Sequence, residues 1–194
     1  GPRSRFNIWV NHEDPGLADA EVSAVVTASA PVIVERAMYR PVGAQTFGAG
    51  HASVGITAPA TTWFLAEGAT GPYFDLFVLV ANPTPNAAQL RATYLLPDGT
   101  TVVKDYTVPA NSRFNIWVDY EDARLADTAV STTIESTNGV PIIVERAMWW
   151  PGPTPATWHE AHNSAGSTAT GTMWALAEGE VDAARNLETY ILVA

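Results

Sequence analysis

The chain has 194 residues, of which 47% are hydrophobic and only 15% are charged, a composition that excludes an intrinsically disordered protein. It contains no cysteine, which excludes disulfide bonds and thiolate metal sites. Its formal charge of −10 makes nucleic acid and anionic membrane surfaces unfavourable partners. No apolar run approaches the roughly 20 residues that cross a bilayer, so we expect no membrane insertion.

Gly1-Pro2 at the start of the sequence is typical of the two residues that a protease leaves when it removes a purification tag. We therefore interpret the chain as an engineered fragment, in which the lack of a signal peptide says nothing about destination.

The dominant feature of the sequence is an internal repeat. Residues 4–23 (SRFNIWVNHEDPGLADAEVS) return as residues 112–131 (SRFNIWVDYEDARLADTAVS), with 14 of 20 positions identical. Four further blocks recur in the same order: VIVERAM at 32–38 and IIVERAM at 142–148, HAS at 51–53 and HNS at 162–164, TTWFLAEG at 61–68 and TMWALAEG at 172–179, FDLFVLVA at 74–81 and LETYILVA at 187–194. Such self-similarity indicates a tandem-repeat architecture.

The order of these blocks predicts three units. Residues 61–166 form one complete copy, residues 4–57 the back half of a preceding copy, and residues 172–194 the first two strands of a following copy. We expect residues 172–194 to complete residues 4–57, either in the same chain or in a neighbouring chain, which would cause self-association. A boundary near Ser4 and Ser112 is the alternative division.

Alternating apolar and polar residues predict strands through most of the complete copy, for example at 74–81 and 101–108. Turn residues separate the strands: Pro97-Asp98-Gly99-Thr100 predicts a turn, and Thr137-Asn138-Gly139 predicts a hairpin. Only single helical turns are expected, at 121–127 and 181–187. The pattern predicts an all-β fold of tandem Ig-like antiparallel β-sandwich modules with incomplete terminal copies, because β-propeller blades are shorter than this repeat.

Residues 77–118 resemble the front half of bacterial Ig-like modules of the CARDB type. The matching elements are Asn82-Pro83, Ala87-Ala88, Asp98-Gly99 and Val108-Pro109-Ala110-Asn111. The chain is also similar to tandem repeats of large bacterial extracellular proteins that contain WxLAEG and VERAM segments. The resemblance implies an extracellular or cell-surface location and a structural or adhesive role. It identifies an architecture and carries no catalytic residues.

One segment contains the residue types of a metalloprotease site. His159, Glu160 and His162 form His-Glu-x-His, but a zinc-binding helix needs His-Glu-x-x-His to place both imidazoles on one face. The surrounding residues are rich in proline and threonine, so we expect no helix and no zinc. No Ser-His-Asp signature, phosphate-binding glycine loop or nucleophile elbow is present, and we therefore expect no enzyme.

Asp119, Glu121, Asp122 and Asp127 make the densest acidic cluster. Calcium prefers six to eight oxygen ligands, which neighbouring loop carboxylates can supply. No EF-hand pattern accompanies them, and we interpret them as a solvated acidic loop, with calcium as the alternative and no other cofactor expected.

Strand parity places two arginines among apolar residues, where an unpaired charge is very costly. Arg146 belongs to the complete copy and Arg36 to the preceding one. Glu67 and Glu178 follow the two Trp-x-Leu-Ala segments and are the candidate partners of Arg146 in the complete copy and of Arg36 in the partial one. We predict a structural Arg–Glu pair across the sandwich, with simple exposure of the arginines as the alternative.

Seven tryptophans are many for this length. Trp149, Trp150 and Trp158 lie near proline-rich loops and could stack on sugar rings as an exposed platform. The other interpretation is that these three pack at a domain junction, while the tryptophans of the repeated blocks fill the core. That second group is Trp63, Trp117 and Trp174.

These observations favour a non-catalytic structural or adhesive repeat module of a bacterial surface or secreted protein, acting as spacer or assembly unit. Its expected partners are neighbouring repeats or protein surfaces. The alternative is a carbohydrate-binding module that uses the exposed tryptophans to hold a glycan.

Overall fold

The computed structural model of the chain describes residues 3–194, so Gly1-Pro2 lies outside the described residues. Ten strands follow one another along the chain: β1 Glu35–Val42, β2 Gln45–Val54, β3 Thr62–Leu65, β4 Asp75–Asn82, β5 Ala88–Leu95, β6 Thr101–Val108, β7 Ser112–Trp117, β8 Ser131–Ser136, β9 Ile143–Trp150 and β10 Glu160–Ala165. The helices of residues 3–194 are 3-10 turns at Val10–His12, Pro15–Leu17, Val118–Tyr120 and Ala123–Leu125. None of these turns has the length or hydropathy to span a membrane.

Strands β3 to β10 form a sandwich of two antiparallel four-stranded sheets. One sheet has the order β10-β9-β4-β7 and the other β3-β8-β5-β6. The all-β sandwich predicted from the alternating pattern is confirmed. β5 shows the cause most clearly, because its burial alternates residue by residue, as expected of a strand with one face on a core and one in water.

The core lies between the two sheets. Among its largest fully buried side chains are Trp63, Tyr94, Leu76, Leu90, Ile116 and Ile134. Trp63 also satisfies its indole, because Nε1 donates to the carbonyl oxygens of Ala60 at 3.2 Å and Ile142 at 3.0 Å. Burying such apolar area stabilises a fold by about 25 cal/mol per Å².

Asn82 explains the turn motifs of the bacterial Ig-like resemblance. Its side chain is 1% exposed, and Nδ2 donates to the carbonyl oxygens of Asn86 at 2.7 Å and Pro109 at 3.0 Å. Its Oδ1 accepts the Thr84 N–H at 3.1 Å. One buried amide therefore ties the Asn-Pro turn to the Val-Pro turn, since a buried amide needs such partners.

The hairpin predicted at Thr137-Asn138-Gly139 is wrong. β8 and β9 on either side of this turn belong to different sheets, so the turn crosses from one sheet to the other. Gly139 does adopt the expected positive φ of 75°. The turn is held against β5, where Asn138 Oδ1 accepts the Gln89 N–H at 3.1 Å. Local turn chemistry fixes the bend but not the partner of the strands around it.

β1 and β2 form a separate two-stranded sheet. Their register repeats that of β9 and β10 in the complete copy. Met38 faces His51 in the first pair, as Met148 faces His162 in the second. The hairpin of the partial copy therefore folds in the same register as its counterpart.

The remaining flanking residues differ from the prediction of strands. Residues 3–34 contain two 3-10 turns and no strand, and residues 172–194 contain only an isolated bridge between Asp182 and Leu187. The physical reason is that a strand needs a ladder of backbone hydrogen bonds to a neighbouring strand. Within residues 3–194, the backbone bonds of these segments are those of turns, of the Asp182–Leu187 bridge and of Val34 with Gly55.

Candidate interaction surface

The side of sheet β10-β9-β4-β7 that points away from the core is here called the outer face. β4 defines it, because Leu76, Val78 and Val80 fill the core. Phe77 and Leu79 alternate with them and must point to the opposite side. In the neighbouring strands, Trp117 and Ala147 lie opposite Phe77.

Aromatic rings cover one end of the outer face. Trp149 and Trp158 stack with ring centroids 5.0 Å apart and 23° between planes. Phe77 lies 5.7 Å from Trp158 and 4.8 Å from Trp117, and Trp117 lies 4.8 Å from Tyr120. Aromatic pairs in such geometries contribute about 0.5–1.5 kcal/mol each beyond area burial.

Trp149, Trp150 and Trp158, for which packing at a domain junction and an exposed platform are the two interpretations, are half-buried. Trp149 and Trp158 cover each other, and Trp158 Nε1 donates to the carboxylate of Asp75, which is 2% exposed. Trp150 contacts Phe74, with ring centroids 5.9 Å apart. The sequence could not reveal this, because the Asp75 acceptor is distant along the chain.

The tryptophans predicted for the core have three different environments. Trp63 is 2% exposed and lies in the core, as expected. Trp117 is half-buried on the outer face. Trp174 is 66% exposed, so its placement in the core is wrong in this structure. Trp174 lacks the strands that bury Trp63, its counterpart in the repeat.

The β1–β2 hairpin docks on the outer face beside Trp149. Arg36 Nη1 lies 3.0 Å from Glu145 Oε2, and the Arg40 guanidinium lies 5.9 Å from the centroid of the Trp149 ring. The His51 ring makes an edge contact with Trp149 at 6.1 Å. The hairpin therefore uses an ion pair and a cation–π contact, both of which gain strength as water is excluded.

The predicted pair of Arg36 with Glu178 is wrong in this structure. Arg36 bonds Glu145, and Glu178 is exposed on a segment without strands. Glu67 reaches Arg146 from just beyond the end of β3, and Glu178 has no corresponding strand before it within the described residues.

Arg146 and Glu67 are brought together inside the complete copy. Arg146 is 5% exposed, and its Nη1 lies 2.6 Å from Glu67 Oε2. His162 Nε2 lies 3.6 Å from the other carboxylate oxygen. The pKa of Glu67 is lowered from its ordinary value, chiefly by His162 and then by Arg146, while burial opposes the shift. Burial lowers the pKa of the Arg146 guanidinium, and Glu67 opposes that change.

A second segment reaches the outer face at β7. The Glu21 carboxylate bonds the Arg113 guanidinium and accepts from Asn115 Nδ2 at 2.8 Å. Residues before β1 therefore touch one margin of the outer face while the hairpin covers the other.

The four acidic residues for which calcium is the alternative interpretation contact protein groups, and two of them lie at Gly71. Asp119 accepts the N–H groups of Gly71 at 3.1 Å and Leu76 at 2.9 Å, and burial raises its pKa. Glu121 accepts the Tyr106 hydroxyl at 2.6 Å.

The other two carboxylates are also engaged within the loop. Asp122 caps the 3-10 turn at Ala123–Leu125 and bonds Arg124, which lowers its pKa. Asp127 lies against the backbone of Gly71. Within residues 3–194, no three metal-ligating side chains converge, and this statement covers His159, Glu160 and His162 as well.

The docking of the hairpin predicts a pH dependence. The pKa of His51 is lowered by burial first and then by Arg36 and His162, and Glu145 faces the same Arg36. A docked histidine with a lowered pKa binds fewer protons than the released one, so docking is strongest above about pH 6.5 and weakens as the pH falls through that value. Amide chemical shifts of β1 and β2 between pH 8 and pH 5 measure this change.

The matched control for the pH prediction is His51→Gln. In this variant the amide chemical shifts of β1 and β2 should no longer show the pH-dependent change that is centred below pH 6.5. A profile identical to that of the parent chain would show that His51 does not control the docking.

Sequence reasoning missed three residues of this surface, namely Arg40, Glu145 and Asp75. Arg40 and Glu145 carry a weak signal, because charged residues interrupt two otherwise apolar strands. Asp75 gives no such signal, since its burial depends on the fold of the loop that carries Trp158.

No family model matches the chain, and no curated protein matches it. Among solved structures, the crystal structure of Thermotoga maritima 1070 has a TM-score of 0.49 and 16% identity, covering 60% of this chain and 100% of that chain. The Anabaena sensory rhodopsin transducer has a TM-score of 0.41 and 26% identity, covering 47% of this chain and 91% of that chain. At TM-scores below 0.5, neither likeness extends the description of the fold or of the surface.

Proposed function

We propose that the chain is a non-catalytic structural repeat module of a bacterial surface or secreted protein, of the Ig-like type. In this role each sandwich is fixed to the next copy and serves as an assembly unit. The support comes from the repeat in the sequence together with the way that the partial copy is joined to the complete one.

The junction between copies carries this proposal. Residues 55–61 lead from β2 into β3, and Ile56 and Ala60 pack against the core of the complete sandwich. The backbone N–H of Ala60 donates to the Ile142 carbonyl at 2.9 Å, and the reverse bond has the same length. A junction that is bonded into the next module restricts the relative motion of the two copies, which suits a load-bearing or spacing role.

The experiment that tests this role loosens the junction. Ile56→Ser removes the apolar contact, and we expect a larger radius of gyration by small-angle X-ray scattering at low protein concentration. Ala58→Ser is the control, because Ala58 is exposed in the same junction. Unchanged scattering from Ile56→Ser would contradict a fixed junction.

Carbohydrate binding is the second candidate that the tryptophans suggest. Trp149 and Trp158 stack on each other, which covers one face of each ring. A glycan array with the parent chain and with Trp149→Ala and Trp158→Ala separates the two functions. Sugar binding that both substitutions abolish would favour the carbohydrate-binding module over the structural one.

A further inference from the structure

Strand β1 has one unpaired edge. β9, its counterpart in the complete copy, lies between β10 and β4. β1 has β2 on the side that matches β10, and in the described part of the chain no strand lies on the other side. The free edge presents unpaired N–H and C=O groups in the direction where β9 bonds β4, which is a template for strand addition.

The sequence holds a second segment of the β4 type. Residues 187–194 repeat residues 74–81, which include most of β4. In this structure the segment has no strand partner, and its apolar side chains lie in water, with Tyr190 73%, Ile191 71% and Val193 88% exposed. Such a run of apolar residues is rarely left uncovered in a soluble protein.

The repeat fixes the register in which the segment would bind. Val78 lies opposite Arg146 and Val80 opposite Val144 in the complete copy. The corresponding pairs would be Ile191 with Arg36, and Val193 with Val34. Val80 is only 2% exposed, so the equivalent position in the added strand would bury the side chain of Val193.

The charges of β1 and of residues 172–194 are also complementary. Arg36 gives one nitrogen to Glu145, while its Nε and Nη2 are buried without a hydrogen-bond partner. Arg146, the counterpart of Arg36, is bonded by Glu67. Glu178 is the counterpart of Glu67, is exposed, and makes no ion pair within the described residues. Strand addition would bring this free carboxylate near the half-satisfied arginine.

A third segment fits the other side of the added strand. Residues 4–9 repeat β7, which borders β4 in the complete copy. Phe6 and Ile8 are 85% and 57% exposed, whereas Ile116, the counterpart of Ile8, is 1% exposed. A four-stranded sheet like that of the complete copy would then form from residues 45–54, 35–42, 187–194 and 4–9.

We propose that residues 187–194 of one copy of the chain bind as a strand between β1 and residues 4–9 of a second copy. In this structure residues 187–194 form no ladder with β1 or with residues 4–9. The donor is assigned to a second copy, and cross-linking distinguishes it from the same chain. The contact is head-to-tail, so it builds rings or filaments. This inference deepens the proposed function and rests on it, because it names the partner of the assembly unit.

Cross-linking tests the proposal, and the chain is suited to it because it contains no cysteine. Leu192 would lie opposite Glu35, as Leu79 lies opposite Glu145. Glu35→Cys and Leu192→Cys are placed in separate chains, mixed and oxidised. Directly opposed strand residues are close enough for a disulfide, so we expect a several-fold excess of mixed disulfide dimer over the control.

The control pairs Glu35→Cys with Tyr190→Cys, which is two residues out of register. Its Cβ atoms would be roughly 7–8 Å apart, too far for a disulfide. Equal cross-linking in the two mixtures would overturn the proposed register. If the disulfide forms only when both cysteines are in one chain, the donor strand does not come from a second copy and the proposal is wrong.

Sedimentation velocity over a range of concentrations gives an independent measurement. The parent chain should show a mass that rises with concentration, and Val193→Asp should lose this association. Leu192→Asp adds the same charge on the opposite side of the strand and should associate more than Val193→Asp. A parent chain that stays monomeric overturns strand addition, but it leaves the junction and the scattering test of the proposed function unaffected.

Discussion

Trp63→Ala is expected to cost about 4 kcal/mol of the free energy of unfolding, the largest effect of any substitution considered. The side chain is 2% exposed and fills the core beside β3. Its removal leaves a cavity as well as losing apolar contact. Equilibrium unfolding in urea, followed by far-ultraviolet circular dichroism, measures the change.

The repeat supplies a matched control, because Trp174 occupies the same place in the partial copy. It is 66% exposed, and at low protein concentration, where the chain is not associated, Trp174→Ala should change the stability by less than about 0.5 kcal/mol. Trp63→Phe separates packing from hydrogen bonding. The Ala60 and Ile142 carbonyls keep their backbone partners in that variant, so we expect a loss of about 1–2 kcal/mol. Equal losses for Trp63→Ala and Trp174→Ala would contradict the structure.

Glu67→Gln is expected to destabilise the sandwich by about 2 kcal/mol, because it leaves the Arg146 guanidinium buried without its counter-charge. Breaking a fully buried pair costs roughly 3–5 kcal/mol. The side chain of Glu67 is 34% exposed, so water screens part of the interaction and lowers the expected loss. The same urea titration measures it.

Two variants decide whether the effect comes from the ion pair. Glu178→Gln makes the same change in the partial copy, where the carboxylate is exposed, and should be neutral at low protein concentration, where the chain is not associated. Arg146→Met combined with Glu67→Gln removes both charges and should recover most of the loss. If the double variant does not recover the lost stability, Glu67 acts through another partner, such as His162.

The same pair predicts a loss of stability in acid. The pKa of Glu67 is lowered from its ordinary value of 4.5, so its contribution is complete above that pH. It decreases as the pH falls through the folded value. We therefore expect the melting temperatures of the parent chain and of Glu67→Gln to differ at pH 6 and to converge as the pH falls to 3.

The all-β sandwich could be predicted from sequence because each strand of the complete copy carries its own alternation. β5 and β6 are the clearest cases, joined by the Asp98-Gly99 turn in which Gly99 has a φ of 83°. The proximity of Arg146 to Glu67 also follows from strand parity, since a buried arginine needs a carboxylate.

The partners of the exposed elements could not be predicted in this way. The Asn138-Gly139 turn has the chemistry of a hairpin, yet the chain crosses between sheets there. Arg36 has the same strand parity as Arg146, but it bonds Glu145 on another face. Both outcomes depend on contacts between residues far apart in sequence, about which local patterns carry no information.

The two copies separate local from long-range causes of structure. Asp14 caps the 3-10 turn at Pro15–Leu17 just as Asp122 caps the turn at Ala123–Leu125. Trp174 Nε1 donates to the Gly171 carbonyl at 3.0 Å, as Trp63 donates to Ala60. These contacts between close neighbours form in both copies. The strands around them form only where the partner strands are present.

In the proposed array of tandem copies, the position of the junctions would set the mechanical behaviour. The chain enters the sandwich at Ala60 and leaves it at Ser167, whose N–H and C=O both bond Phe64 at 2.9 and 2.7 Å. The four residue-to-residue steps from Ala60 to Phe64 span roughly 13 Å of extended chain. A folded copy thus keeps its two attachment points close, whereas the unfolded copy would extend over roughly 350 Å. Under tension the proposed array would lengthen by unfolding one copy at a time, so the unfolding rate of each sandwich would set the force at which the array yields.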